Sequence, residues 1–263
     1  RGAFDPQHLK LPREVLISVM KKHQRYFPVL STDGSGEAML PYFIAVRNGD
    51  GQFLEIVTKG NEHVIRARFA DADFFVRDDI KKPLQDYLPR LDTLMFQAKL
   101  GSMLDKTRRI VLLVDDLARQ IGLDEAELSI AKRAAELCKA DLATKMVIEM
   151  TSLQGQMGRY YALQSGEKPE VAQAIFEHYL PRYTGDQTPA SRPGLVVGLA
   201  DRLDSLVGLF AAGLAPSGNK DPFAQRRAAL GLVQNLIAWN LDFDLQNALT
   251  AAASHLPIAA NPE

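Results

Sequence analysis

Apolar positions along the chain follow two regimes, and the change falls near residue 85. Before it they form short runs broken by turn residues; after it they recur at three- and four-residue spacing, the period of helices packed on one side. In the first regime Glu14–His23 predicts a short helix, and Tyr26–Leu30 and Tyr42–Val46 predict strands. Thr32–Gly36 is rich in turn formers. Asn48-Gly49-Asp50-Gly51 is a hairpin signal that predicts a returning strand at Phe53–Val57, with helix over Glu62–Asp71. In the second regime Pro83 and Pro89 punctuate the entry, and Asp105–Ile121 is amphipathic and stops at Gly122. Asp124 and Glu127 form a capping box for a helix predicted to run to about Met150. Pro169–His178, Gly194–Gly213, Pro222–Trp239 and Asp244–His255 complete a predicted bundle. The fold class expected is therefore mixed: a small α+β module over residues 1–84, an all-α region over 85–258 and a short tail over 259–263.

Composition changes this picture little. At 263 residues, 46% hydrophobic and 24% charged, the chain is ordinary globular material with length for one large or two medium domains. Lys and Arg number 31 against 32 Asp and Glu, so a nucleic-acid partner has to be met by local basic patches, not by an overall field. The single cysteine, Cys138, excludes a disulfide framework and fits a reducing, cytoplasmic setting. Leu195–Leu214 is apolar enough to suggest a membrane span, but Asp201, Arg202 and Asp204 lie inside it, so a buried helix is expected and no membrane partner.

The most informative stretch is Pro216-Ser217-Gly218-Asn219-Lys220-Asp221-Pro222-Phe223-Ala224-Gln225-Arg226-Arg227-Ala228-Ala229-Leu230-Gly231. Asp221 suits an N-cap and Pro222 a first helical position. Lys220, Arg226 and Arg227 then surround a helix N-terminus, where cations oppose the helix dipole; phosphate recognition explains them, and a solvated helix face is the alternative.

This stretch resembles the β subunit of bacterial, heterotetrameric glycyl-tRNA synthetase. So do Leu11-Pro12-Arg13-Glu14-Val15-Leu16-Ile17 running on to Lys22-His23-Gln24-Arg25-Tyr26-Phe27-Pro28, and Gly60-Asn61-Glu62-His63-Val64 with Ala67-Arg68-Phe69-Ala70-Asp71-Ala72-Asp73-Phe74-Phe75. Leu153-Gln154-Gly155-Gln156-Met157-Gly158-Arg159-Tyr160-Tyr161 is the fourth match, and all four come in the family's order. The resemblance implies the central portion of a longer subunit, with an anticodon-binding module beyond residue 263. It implies as partners the α subunit and tRNA(Gly), and no DNA. ATP, with Mg, is then used on the α subunit for glycine activation, with no cofactor in this portion.

The helical region also resembles the HD phosphohydrolase fold, in which a His, an adjacent His-Asp pair and a distant Asp hold a metal. Leu137-Cys138-Lys139-Ala140-Asp141-Leu142 is similar to the His-Asp helix with Ala140 in place of histidine, and the helix around Asp201 is similar to the distant-Asp helix. The first histidine should fall near Lys106–Arg109, where none stands. Asp141 and Asp201 are thus expected as vestigial site carboxylates in an HD-like fold that holds no metal. Buried carboxylates need partners, and lysine, arginine or backbone donors, or a residual Mg²⁺, are the candidates.

The five histidines lack ligand spacing, no phosphate-binding Gly-rich loop or nucleophile elbow occurs, and Cys138 lies on an apolar stripe. No catalytic residue is expected here. The candidate tRNA-binding cations are Lys22 and Arg25, beside Tyr26 and Phe27; Arg108 and Arg109, opening an amphipathic helix; Arg159, read as lying in a loop; and Lys220, Arg226 and Arg227. Two other readings remain: a metal-dependent HD phosphohydrolase, and a purely structural subunit-interface domain.

Overall fold

The computed structural model describes residues 1–31 and 38–260; the predicted turn at Thr32–Gly36 and the last three residues of the tail lie outside the described residues. The chain folds as two compact units: residues 1–81 with 145–154, and residues 82–144 with 155–263.

The first unit is α+β. Strands β1 (Gly2–Ala3), β2 (Phe27–Leu30) and β3 (Met39–Ile44) form an antiparallel sheet in the order β1-β3-β2, with Gly2 opposite Phe43 and Phe27 opposite Ile44. Helix α1 (Arg13–Val19) runs into a π turn (Met20–Gln24), and helix α2 spans Leu54–Asp79. The returning strand expected at Phe53–Val57 does not form, because those residues open α2, and the sheet is completed by β1 instead. A run of mixed apolar and polar residues after a glycine turn satisfies either period, and the 26-residue helix that follows decides between them. Ile65, Phe69, Ala72 and Val76 of α2 make a buried stripe, and Val15, Leu16 and Phe43 are buried in the same unit. Tyr26 is buried and stacks on Phe43 with ring centroids 4.6 Å apart.

Residues 145–154 belong to this unit although the chain has by then entered the helical region. The helix expected to reach Met150 stops at Leu137; a 3-10 turn follows at Ala140–Ala143, and a separate short helix covers Lys145–Glu149. The buried Asp79 carboxylate caps that short helix, accepting from Lys145 N at 2.9 Å and Met146 N at 3.0 Å.

The second unit is helical apart from a small hairpin of β4 (Met95–Gln97) and β5 (Gly101–Ser102). Helices α3 (Met103–Ile121) and α4 (Glu125–Leu137) each begin with a capping box, Ser102 with Asp105 and the expected Asp124 with Glu127. Numbering the short Lys145–Glu149 helix α5, the unit continues with α6 (Gln156–Gln164), α7 (Pro169–Glu177), α8 (Arg192–Ala211), α9 (Gln225–Ala238) and α10 (Leu245–Ser254). Helix α8 packs against α3, α4, α7, α9 and α10, and Leu195, Val196, Val197, Leu199, Ala200 and Leu203 are completely buried. Its apolar character is that of a helix covered on all sides, and no described helix is long and apolar enough to cross a membrane.

Two local expectations change. Helix α9 starts at Gln225, not at Pro222: residues 221–224 form a turn, Ala224 takes a left-handed conformation (φ 53°), and Asp221 caps from further upstream. Its carboxylate accepts from Gln225 N at 2.8 Å and Arg226 N at 2.9 Å. Arg159 lies on α6, not in a loop.

Candidate functional site

Helices α3, α7 and α8 and the turn after α4 enclose a group of charged side chains inside the helical unit. Asp204, 1% exposed, binds Arg109 Nε at 2.5 Å through Oδ1 and Lys106 Nζ at 2.9 Å through Oδ2. Lys106 also lies 3.0 Å from Asp201 Oδ1, and Lys139 Nζ lies 2.8 Å from Asp201 Oδ2. Burial opposes ionisation of Asp201, but the two ammonium groups outweigh it and hold its carboxyl well below the usual range. A mid-helix aspartate in an apolar run is thus matched by lysine.

Lys139 is the pivot. Its ammonium is 2.9 Å from His178 Nε2 and 4.3 Å from the centroid of the Tyr179 ring. His178 Nδ1 lies 2.5 Å from Ile175 O, so that nitrogen donates and Nε2 accepts from the lysine. Burial, and then Lys139, push the imidazole pKa well below its ordinary value, keeping it neutral. This donor set does not fit a metal: the imidazole lone pair and the Asp201 carboxylate that a divalent ion would need already face an ammonium. Chemically, the arrangement holds helices in register.

Asp141 is fully buried and plays a different part. Its Oδ2 accepts from Gly155 N at 2.6 Å and Gly158 N at 3.0 Å, closing the N-terminus of α6. The two glycines make room: a Cβ on Gly158 would stand 3.0 Å from that oxygen, and one on Gly155, where φ is 77°, would stand 2.5 Å from the Tyr179 ring. Among the described residues Oδ1 has no hydrogen-bond partner, and burial pushes the carboxyl pKa up to about 6. Neither Asp141 nor Asp201 shares the other's partners, so the two expected vestigial carboxylates serve separate structures.

Arg202 is buried too. Its guanidinium donates to five carbonyl oxygens, those of His178, Tyr179, Leu180, Pro181 and Gly198, and so seals the C-terminal end of α7. Cys138 is inert, its thiol pushed up to about 12 by burial.

The predicted surface cations separate cleanly. Arg109 is a correction: it is 5% exposed and committed to Asp204 and to Leu100 O, so no external phosphate reaches it. Arg108 is exposed and pairs with Asp105 at 3.2 Å. Lys22 is exposed and donates to Glu149 O at 3.0 Å, while Arg25 is exposed with φ 54°, the left-handed region. Arg159 is half-buried, with its guanidinium 4.9 Å from the Phe176 ring centroid. Lys220, Arg226 and Arg227 are exposed, and their side chains make no ion pair among the described residues. Sequence reasoning missed the structural roles of Lys106 and Lys139; the signal available was Asp201 and Asp204, two acids in a buried helix that demanded cations.

The buried centre is spent on internal pairing, and the class of the chain comes from what it is similar to: a subunit of an aminoacyl-tRNA synthetase. The family model described as "Glycyl-tRNA synthetase beta subunit" matches residues 1–262, and the chain belongs to that family. It is 50% identical over 251 residues to the glycine–tRNA ligase beta subunit of Moorella thermoacetica, covering 95% of this chain and 36% of that protein. Against the same subunit of Desulforamulus reducens it is 51% identical over 245 residues, covering 93% and 35%. Against that of Gloeothece citriformis it is 48% identical over 266 residues, covering 100% and 37%. The chain thus spans a little over a third of the length of the curated relatives it matches.

Proposed function

We propose that this chain binds and orients tRNA(Gly) for glycylation by a synthetase whose ATP- and Mg-dependent adenylation site lies on the α subunit. The observation that carries the reading is the group Lys220, Arg226 and Arg227, exposed around the start of α9 and without an ion pair among the described residues. Asp221 is the acid that acts on the two arginines at longer range. The Asp221 carboxylate already serves the two backbone N–H groups there, which leaves the arginines to meet an outside anion. Arg25, Arg108, Arg159 and Lys22 are further candidate contacts; Arg109 is not. A docking role toward the α subunit accompanies tRNA binding and is favoured by the apolar ridge of Leu230 (63% exposed) and Ile237 (72% exposed) on α9.

Affinity for tRNA(Gly) measured across a salt series, with a non-cognate tRNA alongside, tests the proposal. Replacing Arg226 and Arg227 together by alanine should flatten the log–log salt slope by roughly 1.5–2. Unchanged affinity and slope would remove this patch from the interface.

A further inference from the structure

One face of the three-stranded sheet in the first unit carries large exposed apolar side chains. Strand alternation turns Phe43 inward and sends Leu40, Tyr42 and Ile44 to the other face, and the register sets Phe27 opposite Ile44 there. Phe27 is 57% exposed and Ile44 47%, so two large apolar side chains stand side by side in solvent. The neighbouring Tyr26 stacks on Phe43 in the core, which leaves Phe27 as the exposed ring of the pair.

Glu62 Oε1 accepts from Ala3 N at 2.8 Å along β1, while the charges flanking the described strands themselves are arginines. Residues 1–3, 25–31 and 38–47, the strands with their immediate flanks, contain Arg1, Arg25 and Arg47 and no Asp or Glu. The Arg1 guanidinium lies 4.5 Å from the centroid of the Tyr42 ring. Arg25 adjoins β2 and holds a left-handed conformation at the end of the π turn, a position where glycine is the unstrained residue. An apolar protein partner would cover the rings but would have to desolvate the exposed Arg1 and Arg25. A single-stranded nucleic acid brings both complements, base faces for the aromatic rings and phosphates for the arginines.

We propose that this sheet face is a stacking platform for unpaired nucleotides of tRNA, with Phe27 taking a base and Arg25 the adjoining phosphate. It rests on the tRNA-binding reading above and deepens it, giving Arg25, already a candidate contact there, a base-stacking neighbour in Phe27.

The test measures affinity of the protein for tRNA(Gly), for a short single-stranded oligoadenylate and for duplex RNA of equal length. Phe27→Ala should weaken oligoadenylate binding about tenfold with an unchanged salt slope, and Phe27→Trp should restore it. Arg25→Ala should flatten the oligoadenylate slope by about 0.7, and duplex binding should be indifferent to Phe27. Oligoadenylate affinity that Phe27→Ala leaves unchanged overturns the platform, including the case in which this face receives a protein. If the Arg226/Arg227 double replacement still weakens tRNA binding in that event, the tRNA reading stands and the platform alone falls. If tRNA itself does not bind, both fall.

Discussion

Replacing Asp141 by asparagine isolates the energetic cost of a buried carboxylate from the hydrogen bonds it makes. The asparagine oxygen can occupy the Oδ2 position and accept from Gly155 N and Gly158 N, so the closure of α6 survives while the ionisable group is gone. In the folded protein the carboxyl titrates at about 6, and in the unfolded chain near ~3.9. The sign follows from proton binding. Below pH ~4 the group is protonated in both states; between ~4 and ~6 only the folded state keeps the proton; above ~6 both are ionised. The stabilisation Asp141 contributes is therefore present at acid pH and lost as pH rises through about 6. Two units of difference correspond to about 3 kcal/mol. Urea unfolding of both proteins at constant ionic strength, stepped from pH 4.5 to 8 and followed by fluorescence of Trp239, the sole tryptophan and in the same unit, reads this directly. The stability of Asp141→Asn relative to the parent should rise by about 2 kcal/mol across that range, the remainder of the difference falling below pH ~4.5. A difference that stays flat with pH refutes the assignment of Asp141 as a buried, internally titrating group.

Asp141→Ala should instead be destabilising at every pH, by about 2–4 kcal/mol, because two buried N–H groups lose their acceptor; unfolding free energies at two pH values check it. Lys139→Met should cost about 3 kcal/mol in chemical denaturation by leaving Asp201 with Lys106 alone. A neutral outcome there would mean that the lysine bridge carries no stability. Gly155→Ala should cost more than about 2 kcal/mol, since φ is 77° and the new Cβ meets the Tyr179 ring. Gly166→Ala, at φ 81° with open space around it, should cost about 1 kcal/mol. Equal losses in parallel thermal melts would remove the steric part of the argument.

Much of the fold was legible residue by residue. Gly122 and the Asp124–Glu127 box bracket the α3–α4 junction, and the apolar run of α8 with acids inside it announces a buried helix. What was not legible depended on partners distant in the chain. Asp141 is bound 14 and 17 residues downstream, and nothing in Lys139-Ala140-Asp141 points to Gly155 or Gly158. Arg109 looked like a surface cation because one turn of a helix reads the same whether solvent or Asp204 faces it, 95 residues away. Phe53–Val57 was misread for the opposite reason: a local turn signal was strong, and helix continuation through α2 overrode it. The exposed cations were legible as cations, but burial and pairing sort Arg109 from Arg226 and Arg227.

The first unit is written in two pieces, and that has a consequence for how the protein is made. Its second piece, 145–154, is synthesised only after the chain has laid down α3 and α4 of the other unit. On a ribosome moving N-terminus first, the Asp79 carboxylate waits without the backbone donors of Lys145 and Met146 until some 70 further residues have emerged, given separations of 66 and 67 in sequence. Assembly of the α+β unit is thereby timed by translation of the helical one. The same threading constrains exchange between relatives: a single crossover near residue 81 would hand the first unit a foreign closing segment, whereas a double crossover that moves 1–81 with 145–154 would keep it whole.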